Sequence, residues 1–487
     1  MKNEKVILWK VKDYVRTIIL FLINAFLIIG LFFLTFIMSN GVDTLSTIFS
    51  QANNGLESFY IPIAVVLLCF IMYIYFYIEK RDFLYKTSNI FMVFTILILS
   101  YLVCYGFGKI NAYLRPFALC SLMFLFLVER RTAMFINGVF CILMLLADLF
   151  EVPLSSYTRE IYISLIINFI SGIFAVFMLD GEGSRIKLFS KGIVVSIPVV
   201  VSAICLEFSK GLNLIEIFLY ALCSGPVATI LMMVLISFLE AIFGRLTNFR
   251  LTELTDHKSK LIKLLIERAP GTFNHTVIVS TLAESCANAI NENPLLARAC
   301  AYYHDIGKVK KPEYFAENQS GKNLHDELSP ELSTDIIRSH SKDGGDLIRR
   351  RRLPQVLADA CEQHHGTMPI RYFYAKALKF TDGELSMDKF SYYGPKPKTK
   401  INAIIMICDA CEAKVRTVSN RTHENVDKAV KEIIEERMDM DQFTDCDITL
   451  KELDIIRNTI TNNLAGVYHE RVKYPKLKAG NKNANQS

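Results

Sequence analysis

The chain has 487 residues, of which 52% are hydrophobic and 21% charged, with a mean hydropathy of +0.31. That is too apolar for an ordinary soluble protein and too charged for one buried throughout in a membrane. The net charge of +6 is modest and comes partly from lysines and arginines beside apolar runs, so it gives no nucleic-acid signal.

The two characters are segregated. Before about residue 245 the chain is a series of long apolar runs; after it, the polarity is that of a globular domain large enough to bury its own core. The first run, Val15 to Met38, is too long for a signal peptide and reads as a membrane-spanning helix. Further runs lie near Tyr60–Ile78, Asn89–Phe107, Tyr113–Val128, Thr132–Phe150, Ile161–Leu179, Gly192–Leu206 and Leu214–Phe243, about eight spans in all. Basic residues cluster in alternate loops (Lys80, Arg81 and Lys86; Arg130 and Arg131; Arg185, Lys187 and Lys191), while the loops between carry only Lys109, Arg115, Arg159 and Lys210. The positive-inside rule then puts the N-terminus and the polar half in the cytoplasm. Gly225-Pro226 predicts a kink in the last span. Asp148, Glu207, Glu216 and Glu240 lie mostly at span boundaries, which favours headgroup-level positions over an ion path.

Leu251 to Arg268 has helical spacing and is expected to join the spans to the polar half, as a transmitting helix or as a passive stalk. Helices are expected at about 273–291, 295–306, 329–339, 343–351, 354–365, 400–419, 424–438 and 449–468, with no clear strands. The predicted class is all-α: a polytopic helical membrane domain (1–245), a linker helix (246–268), a cytosolic all-helical domain (269–475) and a polar tail (476–487). Twelve scattered cysteines show no disulfide framework, and Cys408 and Cys411 read as packing. The loop Leu385 to Lys400 carries aromatic and basic residues near Asp409; a lid and a solvated loop are equally good readings. The run Arg349 to Arg352 reads as a solvated helix end.

The chemistry lies in one ordered series: His275, the pair His304-Asp305, His340, the pair His364-His365, and Asp409. Seven nitrogen and oxygen ligands, using five of only nine histidines, are hard to assign to chance. On a helix, Lys308 falls on the face of His304 and Asp305 and places a cation beside a metal pair, which suits a phosphodiester. The order H…HD…H…HH…D is that of the HD-domain metal-dependent phosphohydrolases.

On these residues the chain resembles the bacterial membrane-bound 7TM-HD phosphodiesterases of cyclic di-AMP, the PgpH type. The matching stretches are Ala269 to His275, Tyr303 to Lys308, Glu317 to Gln319, Ser339-His340, His364 to Thr367, Gly394 to Lys400, Asp409 to Ala413 and Tyr468 to Pro475. Two departures stand out: Asn274 where the family often has His, and only Ser39 to Phe59 where the family usually carries a large extracellular domain. The resemblance implies hydrolysis of cyclic di-AMP to pApA with two divalent ions, Fe or Mn. Asp305 would bridge them. His275, His304 and Asp409 would complete one ion, His340 and His364 the other, with His365 a ligand or a substrate contact. Lys308 would be catalytic, and Lys308, Gly366, Thr367, Tyr393 and Lys396 would contact substrate. The expected partners are a cyclic dinucleotide and the lipid bilayer, with a homodimer admitted and no DNA or RNA; the expected location is the bacterial cell membrane, multi-pass. The rivals are a cyclic di-GMP enzyme, whose Gly-Tyr-Pro signature after the paired histidines is missing here, and a membrane receptor with a nucleotide-sensing HD domain.

Overall fold

The computed structural model describes residues 9–41, 60–151, 159–208, 214–319, 321, 323–380, 384–418 and 420–467. Most of the segment between the first two spans, the stretch Tyr468 to Pro475 and the polar tail lie outside the described residues. The chain divides into two compact units, Met1–Phe249 and Arg250–Ser487. Among the described residues both are helical; the only strand-like feature is an isolated antiparallel bridge between Pro369 and Ser391.

The first unit contains α1 (Val11–Asn40), α2 (Tyr60–Glu79), the short α3 (Arg81–Tyr85), α4 (Thr87–Ile110), α5 (Leu119–Leu127), α6 (Arg130–Glu151), α7 (Arg159–Leu179), α8 (Arg185–Val195), α9 (Ile197–Glu207) and α10 (Leu214–Phe243). Among the described residues, six helical stretches are long and apolar enough to cross a membrane: α1, α2, α4, α6, α8 with α9, and α10. Large apolar side chains such as Ile19, Leu22, Phe26 and Leu34 on α1 are exposed, a surface suited to lipid and costly in water.

All eight apolar runs fall on helix, but not all as full-length spans. Leu119–Leu127 has nine residues, about 14 Å of rise, well short of the ~30 Å hydrocarbon layer. Arg115-Pro116 interrupts the run, and the Arg115 guanidinium pairs with Asp148 at 2.8 and 3.0 Å. The other shorter apolar helix is Ser164–Leu179.

At Gly225-Pro226 the expected weak point is bridged from outside. Pro226 has no N–H to give the Leu222 carbonyl one turn back. Ser196, at the break between α8 and α9, donates its Oγ hydroxyl to that carbonyl at 2.6 Å and accepts the Gly225 N–H at 3.0 Å. The helices can meet because a Cβ on Gly225 would fall on the Gly192 carbonyl oxygen. Asp148 and Glu207 also have partners, since Glu207 accepts the Tyr113 hydroxyl at 2.8 Å.

The linker is two helices, α11 (Asn248–Leu254) and α12 (Lys260–Arg268). Asp256 breaks the expected rod: its carboxylate accepts the Lys258 N–H at 2.8 Å and its carbonyl the Ser259 N–H at 2.9 Å, a turn that competes with helix.

The second unit continues with α13 (Pro270–Ala289), α14 (Pro294–Tyr303), α15 (Pro330–Arg350), α16 (Gln355–Gln363), α17 (Arg371–Leu378), α18 (Lys400–Thr417), α19 (His423–Asp439) and α20 (Leu450–Val467). Starts are marked by side-chain caps: Asn293 accepts from Leu296, Ser329 from Leu332, Thr399 from Asn402 and Thr422 from Asn425. Helix α13 packs on α14, α18 and α20, while α15 packs on α16 and on the 3-10 turn Ile306–Lys310. Two expectations need correction. The break expected at residues 340–342 is absent, because α15 runs unbroken through Gly344-Gly345; α17 was not foreseen.

Gly225→Val places a branched side chain against the backbone of α8. It should destabilise the first unit by about 1–3 kcal/mol, read as a lower thermal unfolding midpoint of the detergent-solubilised chain; an unchanged midpoint contradicts this packing.

Candidate metal centre

Five segments bring the metal-ligand series together. His275 lies in the second turn of α13, His304 and Asp305 end α14, and His340 is mid-α15. His364 and His365 follow α16, and Asp409 lies in α18. Because α14 ends at Tyr303, Lys308 is not on a shared α-helix. It sits in the 3-10 turn, whose Lys308 N–H donates to the Asp305 carbonyl at 3.0 Å, and three-residue spacing keeps both side chains on one face.

All seven series residues converge. His275, His304 and Asp409 form one group and His340, His364 and His365 another, each with ligand atoms within 4.8 Å of one another. The two carboxylate oxygens of Asp305 face different groups. Oδ2 lies 3.4 Å from His304 Nε2 and 3.8 Å from His275 Nε2. Oδ1 lies 3.3 Å from His340 Nε2 and 3.7 Å from His364 Nε2. Asp305 is 1% exposed; its Oδ1 and His304 Nε2 have no hydrogen-bond partner, and its Oδ2 is met only by the Lys308 ammonium. Buried polar atoms left unpaired are expensive unless something occupies the space between them, and this donor set fits divalent metal.

The far sides of the rings are fixed. His304 Nδ1 donates to the Ala301 carbonyl at 2.6 Å, His340 Nδ1 to Ile337 at 2.5 Å and His364 Nδ1 to Cys361 at 2.7 Å, so each Nε2 lone pair faces the centre. His275 differs, because its Nδ1 lies 2.7 Å from the Glu412 carboxylate.

Charge follows this layout. Burial resists ionisation of Asp305, but Lys308 and His304 overcome it and hold the carboxyl well below the usual range. Burial likewise opposes charge on Asp409, and hydrogen bonds from His275 and His304 win, keeping it low. Burial would lower His275, yet Asp409 and Glu412 raise it to about 9. His364 is pushed down to about 3 by burial and by His304. Lys308 Nζ lies 2.7 Å from Asp305 Oδ2 and 2.9 Å from Glu317 Oε1, so its charge is already matched by two carboxylates.

Of the expected substrate contacts, Tyr393 is turned out: it is 77% exposed, with the Arg338 guanidinium 4.0 Å from its ring centre. Its neighbour Tyr392 faces the site instead, stacked on His365 at 4.2 Å between ring centres. Lys396 Nζ is 3.4 Å from the Thr444 hydroxyl. Thr367 is engaged by buried Gln442, which accepts its N–H at 2.9 Å and donates to its hydroxyl at 2.9 Å. Gly366 has φ +52°, and a Cβ there would strike the same Gln442 side chain. The loop Leu385 to Lys400 is tied to its surroundings by hydrogen bonds: Tyr392 N–H donates to Met368, Ile370 N–H to Phe390 and Lys398 N–H to Gln363. His325 packs on Tyr314 and Phe373, away from the cluster, and Cys408 and Cys411 are buried free thiols. Arg349 forks onto Glu362 with two contacts of 2.7 Å.

Sequence reasoning missed Glu412, Gln442 and Tyr392. Glu412 had a signal: it lies one turn after Asp409, on the same face of α18.

A buried His/Asp cluster of this composition on an all-helical scaffold has the organisation of an HD domain. Residues 272–414 match the family model described as HD domain, and residues 56–247 match that of the 7TM receptor with intracellular HD hydrolase. The cyclic-di-AMP phosphodiesterase PgpH of Bacillus subtilis (strain 168) is 36% identical over 414 residues, 82% of this chain and 58% of that one. Its counterpart from Listeria monocytogenes serotype 1/2a (strain 10403S) is 41% identical over 312 residues, 63% and 43% of the two chains. The crystal structure of the L. monocytogenes PgpH HD domain with cyclic-di-AMP is 46% identical, covers 44% of this chain and 99% of that one, and has a TM-score of 0.42. The chain belongs to the family of 7TM receptors with intracellular HD hydrolase domains. It spans about half the length of the curated relatives it matches.

Gly307 sets the spacing of the two histidine groups. A Cβ there would fall on the His340 carbonyl oxygen and lie 2.6 Å from the Gly344 nitrogen. Gly307→Ala should cost about 1–3 kcal/mol and lower the metal content of the purified chain, measured by elemental analysis; full content and an unchanged unfolding midpoint contradict this.

Proposed function

We propose that the chain is a membrane-bound phosphodiesterase that hydrolyses cyclic di-AMP to pApA at the cytoplasmic face, and so tunes a second-messenger level. The observation that carries this reading is Asp305, whose two carboxylate oxygens face two separate histidine groups. A single ion would need only one of those oxygens. Two relatives named cyclic-di-AMP phosphodiesterase PgpH support the substrate. The basic loops beside the spans support the cytoplasmic side.

In this reading His275, His304 and Asp409 would hold one ion, His340, His364 and His365 the other, and Asp305 would offer one carboxylate oxygen to each. Iron or manganese fits the mixture of imidazole and carboxylate without thiolate. Once bound, the ions supply Lewis acidity and an acidified attacking water. The protein supplies the rest. Asp305 and Asp409 stay ionised and fix the ions' separation. Lys308, held between Asp305 and Glu317, offsets their carboxylate charge and so eases the approach of an anionic phosphate. Tyr392, braced on His365, offers an aromatic edge beside the reacting phosphate. The membrane domain (1–245) anchors the catalytic domain (269–475) through the linker at 246–268.

The test is turnover by the purified full chain with Mn²⁺ or anaerobic Fe²⁺, offering cyclic di-AMP and cyclic di-GMP separately. Preference for cyclic di-AMP with pApA as product is expected; preference for cyclic di-GMP, or binding without turnover, overturns the reading. Asp305→Ala should abolish both metal retention and turnover while the protein still inserts in membranes, and retained hydrolysis by that variant contradicts the bridging role.

A further inference from the structure

The two halves of the cluster are built differently. On the Asp305 Oδ1 side, His340 and His364 are backed by neutral backbone carbonyls, and His365 by the Tyr392 ring. On the Oδ2 side, Asp409 places its Oδ1 2.9 Å from His275 Nε2 and 3.8 Å from His304 Nε2, while its Oδ2 lies 3.8 Å from His365 Nδ1. Behind His275 stands Glu412, 1% exposed, with Oε2 2.7 Å from Nδ1. Its other oxygen, Oε1, pairs with Arg416 one turn further along α18. Arg416 leaves Oε2 to His275 alone and, at 45% exposure of its side chain, is partly screened by solvent. Lys308 also approaches Oδ2, but Glu317 offsets it.

A carboxylate that accepts the Nδ1–H of a ligating imidazole fixes the ring and makes the opposite nitrogen a stronger donor. Only one half of this site has that arrangement. We propose that Glu412 is a positioning residue that makes the two metal positions unequal: the position facing His275, His304 and Asp409 holds the tightly bound ion, and the position facing His340, His364 and His365 holds the exchangeable one. The inference rests on the two-ion reading above and adds an order of loading to it. At limiting metal the chain carries one ion and is poised, so supply of the second controls activity.

The test uses the full chain in detergent, stripped with chelator and titrated with Mn²⁺, with binding followed by calorimetry and the bound ion by electron paramagnetic resonance. Two separate steps are expected, with the spectrum of an isolated Mn²⁺ at one equivalent and of a coupled pair at two. Glu412→Gln keeps the shape and should weaken the first step about 10–100-fold, with the second step less affected. Arg416→Gln, at a partly exposed position, should shift the same step in a smaller degree and guards against a folding failure of the first variant. Two equal steps in the unmodified chain, or equal weakening of both steps in Glu412→Gln, overturn the inequality and leave the ion pair standing. Binding of a single ion overturns the two-ion reading and this inference with it.

Discussion

The close crossing of two backbones at Gly307 is the constraint on which the site depends. The 3-10 turn after Asp305 lies directly on α15 at His340 and Gly344, with no room for a Cβ on Gly307. Gly344 in turn admits Cys361 of α16, whose Sγ would be 3.1 Å from an added Cβ. A side chain at either glycine would hold these segments further apart, and Asp305 Oδ1 would then miss the second histidine group. The spacing between ligand groups is therefore set by backbone packing, and side-chain rotamers only complete it.

Around that crossing, long polar side chains fasten loops that would otherwise move. Glu317 and Asn318 bind the start of α13, with Asn318 accepting the Thr272 N–H at 3.1 Å and Glu317 accepting the Thr272 hydroxyl at 2.9 Å. Gln363 accepts from Lys398 and Asn402, which ties the 385–400 loop to the residue before His364. Gln442 does the same for Gly366-Thr367 from beyond the end of the HD match. A preorganised, largely dry pocket of this kind strengthens every electrostatic interaction inside it.

Much of this was legible in the sequence. The helical class, the segregation of apolar and polar halves and the convergence of the histidine and aspartate series followed from periodicity, composition and residue order. Other features were not legible, each for a physical reason. The sequence analysis split α15 at residues 340–342, but the helix runs unbroken from Pro330 to Arg350 and packs on the 3-10 turn at Gly307. The linker read as one rod because its apolar spacing is helical, and the Asp256 turn interrupts it. Tyr392 and Tyr393 are adjacent on an extended segment and point opposite ways, and sequence alone does not say which one faces inward. The nine-residue length of α5 was hidden by an apolar run that continues through Arg115-Pro116.

The account turns on two ions held by one carboxylate. Crystals of the chain grown with Mn²⁺, measured at the manganese absorption edge, would locate them directly. Two anomalous peaks about 3.5–4 Å apart, one on each side of Asp305, are the expected result. A single peak, or a pair that Asp305 does not bridge, would contradict it.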